Sequence, residues 1–267
     1  MLIIGESING TIQKVGEAIL NRNANFLKEL ARAQYECGAH LLDVNAALPG
    51  RNEMEDLPWV VELVQREVPI PLMIDSSNPE ALKAALSVYR HPEPPILNSV
   101  SGEEERLGKL RPVITGKKCK VVALCMDGNG IPKTIDGRVR IADKLFQSLT
   151  ELGVPADYIY FDVLVLSIAV EPDAALVALE TIKTIRSKFP ISHIICGVSN
   201  ASFGLPARRL LNRTFLTMAI SAGLDTFLID VRDRGLLSAI YASNILINQD
   251  PYCNEYIKAY REKRLLL

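Results

Sequence analysis

The chain has 267 residues, of which 48% are hydrophobic, so it has enough apolar material for one large core. Its 30 basic and 31 acidic residues give a net charge of −1, which predicts neither a nucleic-acid partner nor an anionic membrane partner. Five scattered cysteines without a Cys-x-x-Cys pair disfavour a disulfide scaffold. The first residues lack a signal pattern and no apolar run reaches about 18 residues, so we expect a cytoplasmic protein.

Eight short apolar runs follow one another along the chain, and each ends in polar residues. Runs of this kind are typical of strands that are buried on both faces. In chain order the polar ends are Glu6, Asp43 with Asn45, Asp75 with Ser76, Asn98 with Ser99, Asp127, Asp162, Ser199 with Asn200, and Asp230. Helical stretches alternate with the runs, so the pattern predicts an α/β fold with a single (β/α)₈ TIM barrel.

Signals for the starts and ends of helices agree with this alternation. Asn78 before Pro79 is a capping residue followed by proline at the first helical position. Gly38 follows an apolar stripe at helical spacing, as expected for a glycine that ends a helix. No linker or low-complexity tract divides the chain. We therefore expect one domain over residues 1–267, with the residues from about 248 forming a C-terminal extension.

The polar strand ends also predict where the functional site lies. Active sites of (β/α)₈ barrels form at the carboxyl ends of the strands, where these side chains fall. Asp75, Asn98, Asp162 and Asn200 are short side chains with hydrogen-bond acceptors, and the two asparagines also carry amide donors. Such groups suit a flat heterocycle, because a carboxylate can accept two N–H bonds from an amino-pyrimidinone. The alternative is that they only satisfy the backbone of loops at the mouth of the barrel.

Other chemistries have weaker support in the sequence. The three histidines are far apart and no His-x-His or His-Glu-x-x-His pattern occurs, so we expect no bound metal. Aromatic residues make up only 6% of the chain, which disfavours the aromatic platforms of glycosidases.

Nine motifs in order resemble the pterin-binding methyltransferases that use methyltetrahydrofolate and a corrinoid protein. They are LIIGESING (2–10), LDVN (42–45), IDSSN (74–78), NS (98–99), GIPK (130–133), YFD (160–162), GVSN (197–200), LNRTFL (211–216) and LINQ (246–249) with YC (252–253). The nearest likeness is to the stand-alone enzymes of acetogens and related anaerobes, which serve O-demethylase, betaine or methylamine systems. The folate module of cobalamin-dependent methionine synthase is a more distant relative. The resemblance implies a barrel of the pterin-binding type.

The resemblance also implies roles for particular residues. Residues that correspond to the family's pterin-binding positions are Asp75, Asn98, Asp162, Gly197, Ser199, Asn200 and Arg208. Further candidates at the strand ends are Glu6, Asn9, Asp43, Asn45 and Ser76. Asn200 is the family's candidate for contact with N5 of the folate, where the methyl group sits, and is therefore the expected catalytic residue.

The activity that the resemblance implies is transfer of a methyl group between N5 of tetrahydrofolate and the cobalt of a corrinoid protein. Methyltetrahydrofolate and tetrahydrofolate are then the substrates. The partner protein carries the corrinoid, because this chain has no Asp-x-His-x-x-Gly loop for cobalamin. A homodimer is expected, as in the family.

Two residues depart from the family pattern. Phe203 stands where some relatives have Gln, which puts one hydrogen bond to the ring in doubt, and Val163 follows Asp162 where relatives often have Pro.

Two other functions remain open. The first alternative function is a dihydropteroate synthase, although the terminal Arg-x-His signature is missing after Asp230. The second is a non-catalytic subunit that binds folate.

Overall fold

A computed structural model describes residues 1–116 and 118–266, and its centre is a closed barrel of eight parallel strands in sequential order. The strands are β1 (Leu2–Asn9), β2 (Leu41–Asn45), β3 (Leu72–Asp75), β4 (Ile96–Ser101), β5 (Lys120–Leu124), β6 (Ile159–Asp162), β7 (His193–Gly197) and β8 (Thr226–Ile229). Strand β1 pairs with β2 on one side and with β8 on the other, which closes the barrel. The predicted (β/α)₈ fold is confirmed.

Helices connect the strands and cover the outside of the barrel. They are α1 (Gln13–Leu20), α2 (Ala24–Glu36), α3 (Glu53–Glu67), α4 (Pro79–Val88), α5 (Glu104–Gly116), α6 (Ile135–Glu151), α7 (Ala174–Lys188), α8 (Arg208–Ala222), α9 (Arg234–Leu246) and α10 (Asn254–Arg261). Two helices, α1 and α2, share the first connection. Only the second of these was evident from the apolar spacing.

The residues predicted to start and end helices do so in the structure. The side chain of Asn78 accepts a hydrogen bond from the backbone N–H of Glu80, and Pro79 is the first residue of α4. Gly38 has a φ of +100°, the left-handed conformation that ends α2. Beyond α9 the chain continues into α10, so the residues after 248 add a helix to the eight strand–helix units. Leu267 lies outside the described residues.

Strand β1 is longer than the apolar run 2–5 that predicted it. It continues to Asn9 through an irregularity in its pairing with β2 between Gly5 and Ile8. At this irregularity the backbone N–H of Ser7 donates to Oε1 of the buried Gln34, at 3.0 Å. The extra residue lets both Glu6 and Asn9 face the barrel axis, which a regular strand would not allow because its side chains alternate.

Two apolar layers hold the barrel together. The larger layer lies between the strands and the surrounding helices. The smaller layer fills the interior of the barrel and consists of Ile4, Leu41, Met73, Ile96, Val122, Tyr160 and Ile195. Five of these seven residues precede a polar residue two positions later on the same face of the strand, namely Glu6, Asp43, Asp75, Asn98 and Asp162. The interior layer is therefore the floor of whatever site the polar strand ends form.

Within the described ranges, no helix is both long enough and apolar enough to cross a membrane.

Candidate functional site

Four of the predicted residues lie side by side above the barrel floor. The strand registers place Asn9 beside Asn45, Asn45 beside Asp75, and Asp75 beside Asn98. The amide of Asn45 donates to Oδ2 of Asp75 at 3.0 Å, while its own oxygen accepts the backbone N–H of Ala47. This row therefore presents carboxylate and amide edges to the mouth from four neighbouring strands.

Asp43 lies one step deeper, in register with Met73 of the floor. It is buried, and Nδ2 of Asn98 approaches its Oδ1 at 3.5 Å. Burial and the nearby Asp75 carboxylate raise the pKa of Asp43 well above its ordinary value. Burial also raises the pKa of Asp75, and the neighbouring Glu53 adds to this rise, while the bond from Asn45 opposes it. The two acids thus share a partly dehydrated pit, which disfavours their charged forms.

Asp162 faces the same pit from β6, across the barrel. Its Oδ1 accepts the backbone N–H of Leu164 at 2.8 Å. Burial raises the pKa of Asp162 to about 6, although this backbone N–H and the nearby Arg138 both favour the charged form. Arg138 itself is buried, and it donates to the carbonyls of Pro132 and Val163, which fixes the loops beside Asp162.

The loop after β7 places a third group of predicted residues on the rim. Gly197 ends β7, and a Cβ at this position would lie 3.1 Å from Nδ2 of Asn200, so glycine lets that amide fold close to the strand end. Asn200 is exposed, and its side-chain amide has no hydrogen bond to the described residues. The amide is free to meet a ligand above the pit.

Arg208 reaches back from the first turn of α8 to this loop. Its guanidinium donates to the carbonyl of Ser199 at 2.8 Å and to the hydroxyl of Ser202 at 3.1 Å. It also lies 5.8 Å from the centre of the Phe203 ring. These contacts hold the rim loop in one shape, because three groups of the loop bind one planar cation.

Glu6 lies between the pit and a cavity of about 440 Å³ that is bounded by the ends of β1, β7 and β8. Burial, with a smaller contribution from the nearby Asp230 carboxylate, raises the pKa of Glu6 to about 7, although Arg208 and the Asp230 N–H favour the charged form. Asp230 in turn binds Arg232 at 2.9 Å and accepts the Ser7 hydroxyl at 3.5 Å. Glu6 is thus an acid that gains or loses its proton near neutral pH.

Two of the further candidates are tied to their own turns. Oδ1 of Asn9 accepts both the N–H and the hydroxyl of Thr11, leaving its amide N–H groups for the row. Ser76 is buried, and its Oγ accepts the backbone N–H of Asn78 at 2.9 Å. Ser76 therefore supports the start of α4 rather than facing the mouth.

Three groups at the site are not among the residues predicted to bind the ligand. Asp230 is one of the polar strand ends, but it is not among the binding residues named from the sequence. Oε1 of Glu53 is buried near Asp75 and accepts no hydrogen bond in the described part of the chain. Arg106 donates to the carbonyl of Ser99 at 3.0 Å and favours the charged form of Asp75. Both Glu53 and Arg106 lie in helices whose inward faces are not evident from the sequence.

The described residues hold no group of three or more His, Cys, Asp or Glu side chains with the arrangement of a metal site. The site is instead a polar pit of amides and carboxylates over an apolar floor. Such a pit can bind a flat ring by its N–H edge, and it can hold or release protons at several carboxylates.

Comparison with known proteins agrees with this geometry. A family model described as "Pterin binding enzyme" matches residues 5–230. A methylcorrinoid:tetrahydrofolate methyltransferase of Eubacterium limosum is 35% identical over 267 residues, covering 99% of this chain and 98% of that protein. A methionine synthase of Mycobacterium leprae is 30% identical over 94% of this chain, which spans 21% of the longer protein.

Solved structures show the same fold. The dihydropteroate synthase of Yersinia pestis has a TM-score of 0.68 at 14% identity, covering 92% of this chain and 93% of that one. The dihydropteroate synthase of Xanthomonas albilineans in complex with 7,8-dihydropteroate has a TM-score of 0.67 at 16% identity, covering 92% of each chain. The chain belongs to the family of pterin-binding enzymes.

Proposed function

We propose that this protein is a methyltransferase that moves a methyl group between N5 of tetrahydrofolate and the cobalt of a corrinoid protein. The observation that carries the proposal is the row of Asn45, Asp75 and Asn98 facing Asp162 across the pit, with the free Asn200 amide above. The full-length relative with 35% identity bears the name of this activity.

Binding of the folate follows from the chemistry of the row. The pterin ring presents N–H groups along one edge, and Asp75 and Asp162 supply carboxylates that can accept them. Asn98 supplies both a donor and an acceptor for the remaining polar atoms of the ring. Gly197 and Ser199 border the ring at the β7 loop, and Arg208 fixes that loop through Ser199 and Ser202.

Asn200 is the proposed catalytic residue. When the methyl group leaves N5, the bond between N5 and carbon breaks, a bond between carbon and cobalt forms, and N5 keeps the electron pair, which takes up a proton from solvent to give tetrahydrofolate. The amide N–H of Asn200 donates to N5 and binds it more strongly as its basicity rises, which stabilises the transition state more than the ground state. In the opposite direction the N5–H of tetrahydrofolate donates to Oδ1 of Asn200, which leaves the N5 lone pair free to attack the methyl group, and N5 loses this proton to solvent as its bond to carbon forms.

The proposal includes the setting of the reaction. We propose that residues 1–267 form one pterin-binding domain, that the chain works as a cytoplasmic homodimer, and that it binds no metal of its own. The corrinoid arrives on a separate protein, and neither nucleic acid nor membrane takes part.

The test is a visible spectrum. Purified protein is mixed with methyltetrahydrofolate and chemically reduced cobalamin, and the loss of the cob(I)alamin band is followed together with the rise of methylcobalamin. Transfer supports the proposal, and no transfer at saturating folate contradicts it.

A parallel assay separates the dihydropteroate synthase alternative. That reaction needs free basic groups for a pyrophosphate, but Arg232 is paired with Asp230, and Arg213 with Asp233. We therefore expect no incorporation of aminobenzoate into a pterin. Binding of folate with neither reaction would instead indicate a non-catalytic folate-binding subunit.

A further inference from the structure

Three exposed apolar side chains stand beside the pit, and we call them the apolar rim. Val170 is 75% exposed in the connection after β6, Phe203 is 66% exposed in the connection after β7, and Leu210 is 66% exposed in the first turn of α8. All three lie on the mouth side of the barrel, because they follow the carboxyl ends of β6 and β7.

Direct bonds join the segments that carry the rim. The hydroxyl of Ser167 donates to the carbonyl of Phe203 at 2.6 Å, and the N–H of Ile168 donates to the carbonyl of Ala201 at 3.1 Å. On its other side, the connection after β6 is held by an ion pair between Glu171 and Lys133. The apolar rim is therefore a fixed surface, since each of its loops is tied to the next.

Phe203 occupies the position at which some relatives have a ring-binding Gln, yet its side chain points to solvent. Its N–H donates to the carbonyl of Asn200 at 3.1 Å, so backbone bonds couple Phe203 to the residue that faces N5. The ring contacts the Arg208 guanidinium on one side. An aromatic ring held in this way contributes a large apolar contact at low entropic cost.

The proposed reaction requires that a cobalt centre come within bonding distance of the methyl group above Asn200. The protein that carries the cobalt must then cover the mouth of the barrel. It must also cover Phe203, which lies only three positions after Asn200 in the same loop. Exposed aromatic and aliphatic side chains on a fixed surface are typical of the centre of an interface. Their position beside the reacting atom selects the corrinoid carrier over any partner that binds elsewhere.

We infer that the apolar rim of Val170, Phe203 and Leu210 is the docking surface for the corrinoid-carrying protein. This inference rests on the proposed methyltransferase function and adds the surface by which that enzyme recognises its partner. Folate binding does not require the rim, so its loss weakens recognition of the carrier and leaves the folate site intact.

The experiment compares two methyl acceptors. One is free cob(I)alamin, and the other is a small corrinoid protein, reconstituted with cobalamin and reduced, which the wild-type enzyme methylates. The variants are Val170→Asp, Leu210→Asp and the milder Val170→Ser, with Ile191→Asp as the control. Ile191 is 67% exposed but precedes β7, on the opposite end of the barrel.

For Val170→Asp and Leu210→Asp we expect kcat/KM with the corrinoid protein to fall by about tenfold or more, mainly through KM. The rate with free cob(I)alamin and the Kd for methyltetrahydrofolate should stay at wild-type values. Ile191→Asp should match the wild type with both acceptors. The wild-type Phe203 ring also contacts Arg208, so its removal can affect both reactions. For Phe203→Ala the measure is therefore the ratio of its rates with the two acceptors.

Three outcomes would overturn the inference. Equal loss with both acceptors would assign the rim to the chemistry or to folate binding, and no loss with either would remove it from the interface. A change in oligomeric state, measured by light scattering, would show that a second copy of this chain covers the rim. If the wild type methylates neither free cob(I)alamin nor any reduced corrinoid protein offered to it, the proposed function itself fails, and this result is distinct from the other three.

Discussion

The amide of Asn200 can reach N5 because of its small neighbour in the loop. Gly197 leaves room for Nδ2 of Asn200, which a Cβ at position 197 would approach to 3.1 Å. The amide is exposed and donates to no residue of the described ranges, so its hydrogen bond is available to a ligand. The contribution of this bond can be measured because nothing else in the protein depends on it.

Asn200→Ala should lower the rate of methyl transfer by about 10²–10³, the usual effect of removing one donor that stabilises developing charge. Single-turnover kinetics with reduced cobalamin measure the rate, and calorimetry measures the affinity for methyltetrahydrofolate. Unchanged turnover with weakened binding would contradict the role of Asn200.

Asp75→Ala is the matched comparison. Removing this carboxylate leaves a ring N–H and the amide of Asn45 without their acceptor, and an unpaired polar group costs roughly 1–3 kcal/mol. The affinity for folate should therefore fall in Asp75→Ala, whereas in Asn200→Ala it should stay close to the wild-type value.

Glu6 makes a second residue-scale prediction, which concerns stability. Its pKa is raised from 4.5 to about 7, so the folded protein holds this proton more tightly than the unfolded chain. The resulting loss of stability is absent below pH 4.5, grows as the pH rises to about 7, and is constant above. Glu6→Gln avoids the charge and should be more stable than the wild type at pH 8, by up to about 3 kcal/mol.

Urea unfolding at pH 4 and pH 8 checks this expectation. The two proteins should have similar free energies of unfolding at pH 4. A difference that is the same at both pH values would show that Glu6 is not the group that titrates.

At the scale of elements, the irregularity in β1 shapes the mouth. It brings Glu6 and Asn9 to the same face of one strand, and the side chain of Gln34 on α2 satisfies the N–H that the irregularity frees. This arrangement depends on Gly5, because a Cβ there would lie 2.5 Å from Oε1 of Gln34. The helix thus controls the shape of a strand that carries two candidate binding residues.

Gly5→Ala should displace Gln34 and leave the N–H of Ser7 buried without an acceptor. The expected loss is about 1–3 kcal/mol in the free energy of unfolding, with weaker folate binding because Glu6 and Asn9 move. Thermal unfolding and folate calorimetry measure the two effects.

The control is Gly108→Ala in α5. A Cβ at this position meets nothing within 4 Å, and alanine favours the helix by roughly 0.5–1 kcal/mol. Equal stability changes in the two variants would contradict the argument from Gln34.

For the whole molecule, acids from four strands converge on one pit. Asp43, Asp75, Asp162 and Glu6 each have a raised pKa, and burial is the first cause for all four. Because a carboxylate accepts N–H bonds better than a carboxylic acid does, folate binding favours loss of protons from these acids. Affinity for folate is therefore coupled to pH.

The Kd for methyltetrahydrofolate should fall as the pH rises from 5.5 to 7.5, since Asp162 titrates at about 6. Proton release on binding, measured by calorimetry in buffers with different ionisation enthalpies, checks the sign. In Asp162→Asn the dependence should flatten. An affinity that rises toward acid pH would contradict the coupling.

The barrel and most of the pit could be predicted from the sequence, for a physical reason. Strands buried on both faces leave long apolar runs, so the polar residues that end them, such as Asp75 and Asp162, stand out. The longer β1 could not be predicted, because its irregularity depends on the distant Gln34. Glu53 and Arg106 could not be found either, since charged residues on helices usually face solvent and their direction here depends on packing.

The interior layer of Ile4, Met73, Tyr160 and their neighbours blocks any passage through the barrel. Folate must therefore come and go by the opening at which the methyl acceptor or donor arrives. A docked carrier would retain the spent folate. Docking of the carrier and exchange of folate therefore have to alternate. Turnover should consequently pass through a maximum as the carrier concentration increases, and steady-state rates at fixed folate would show inhibition by excess carrier.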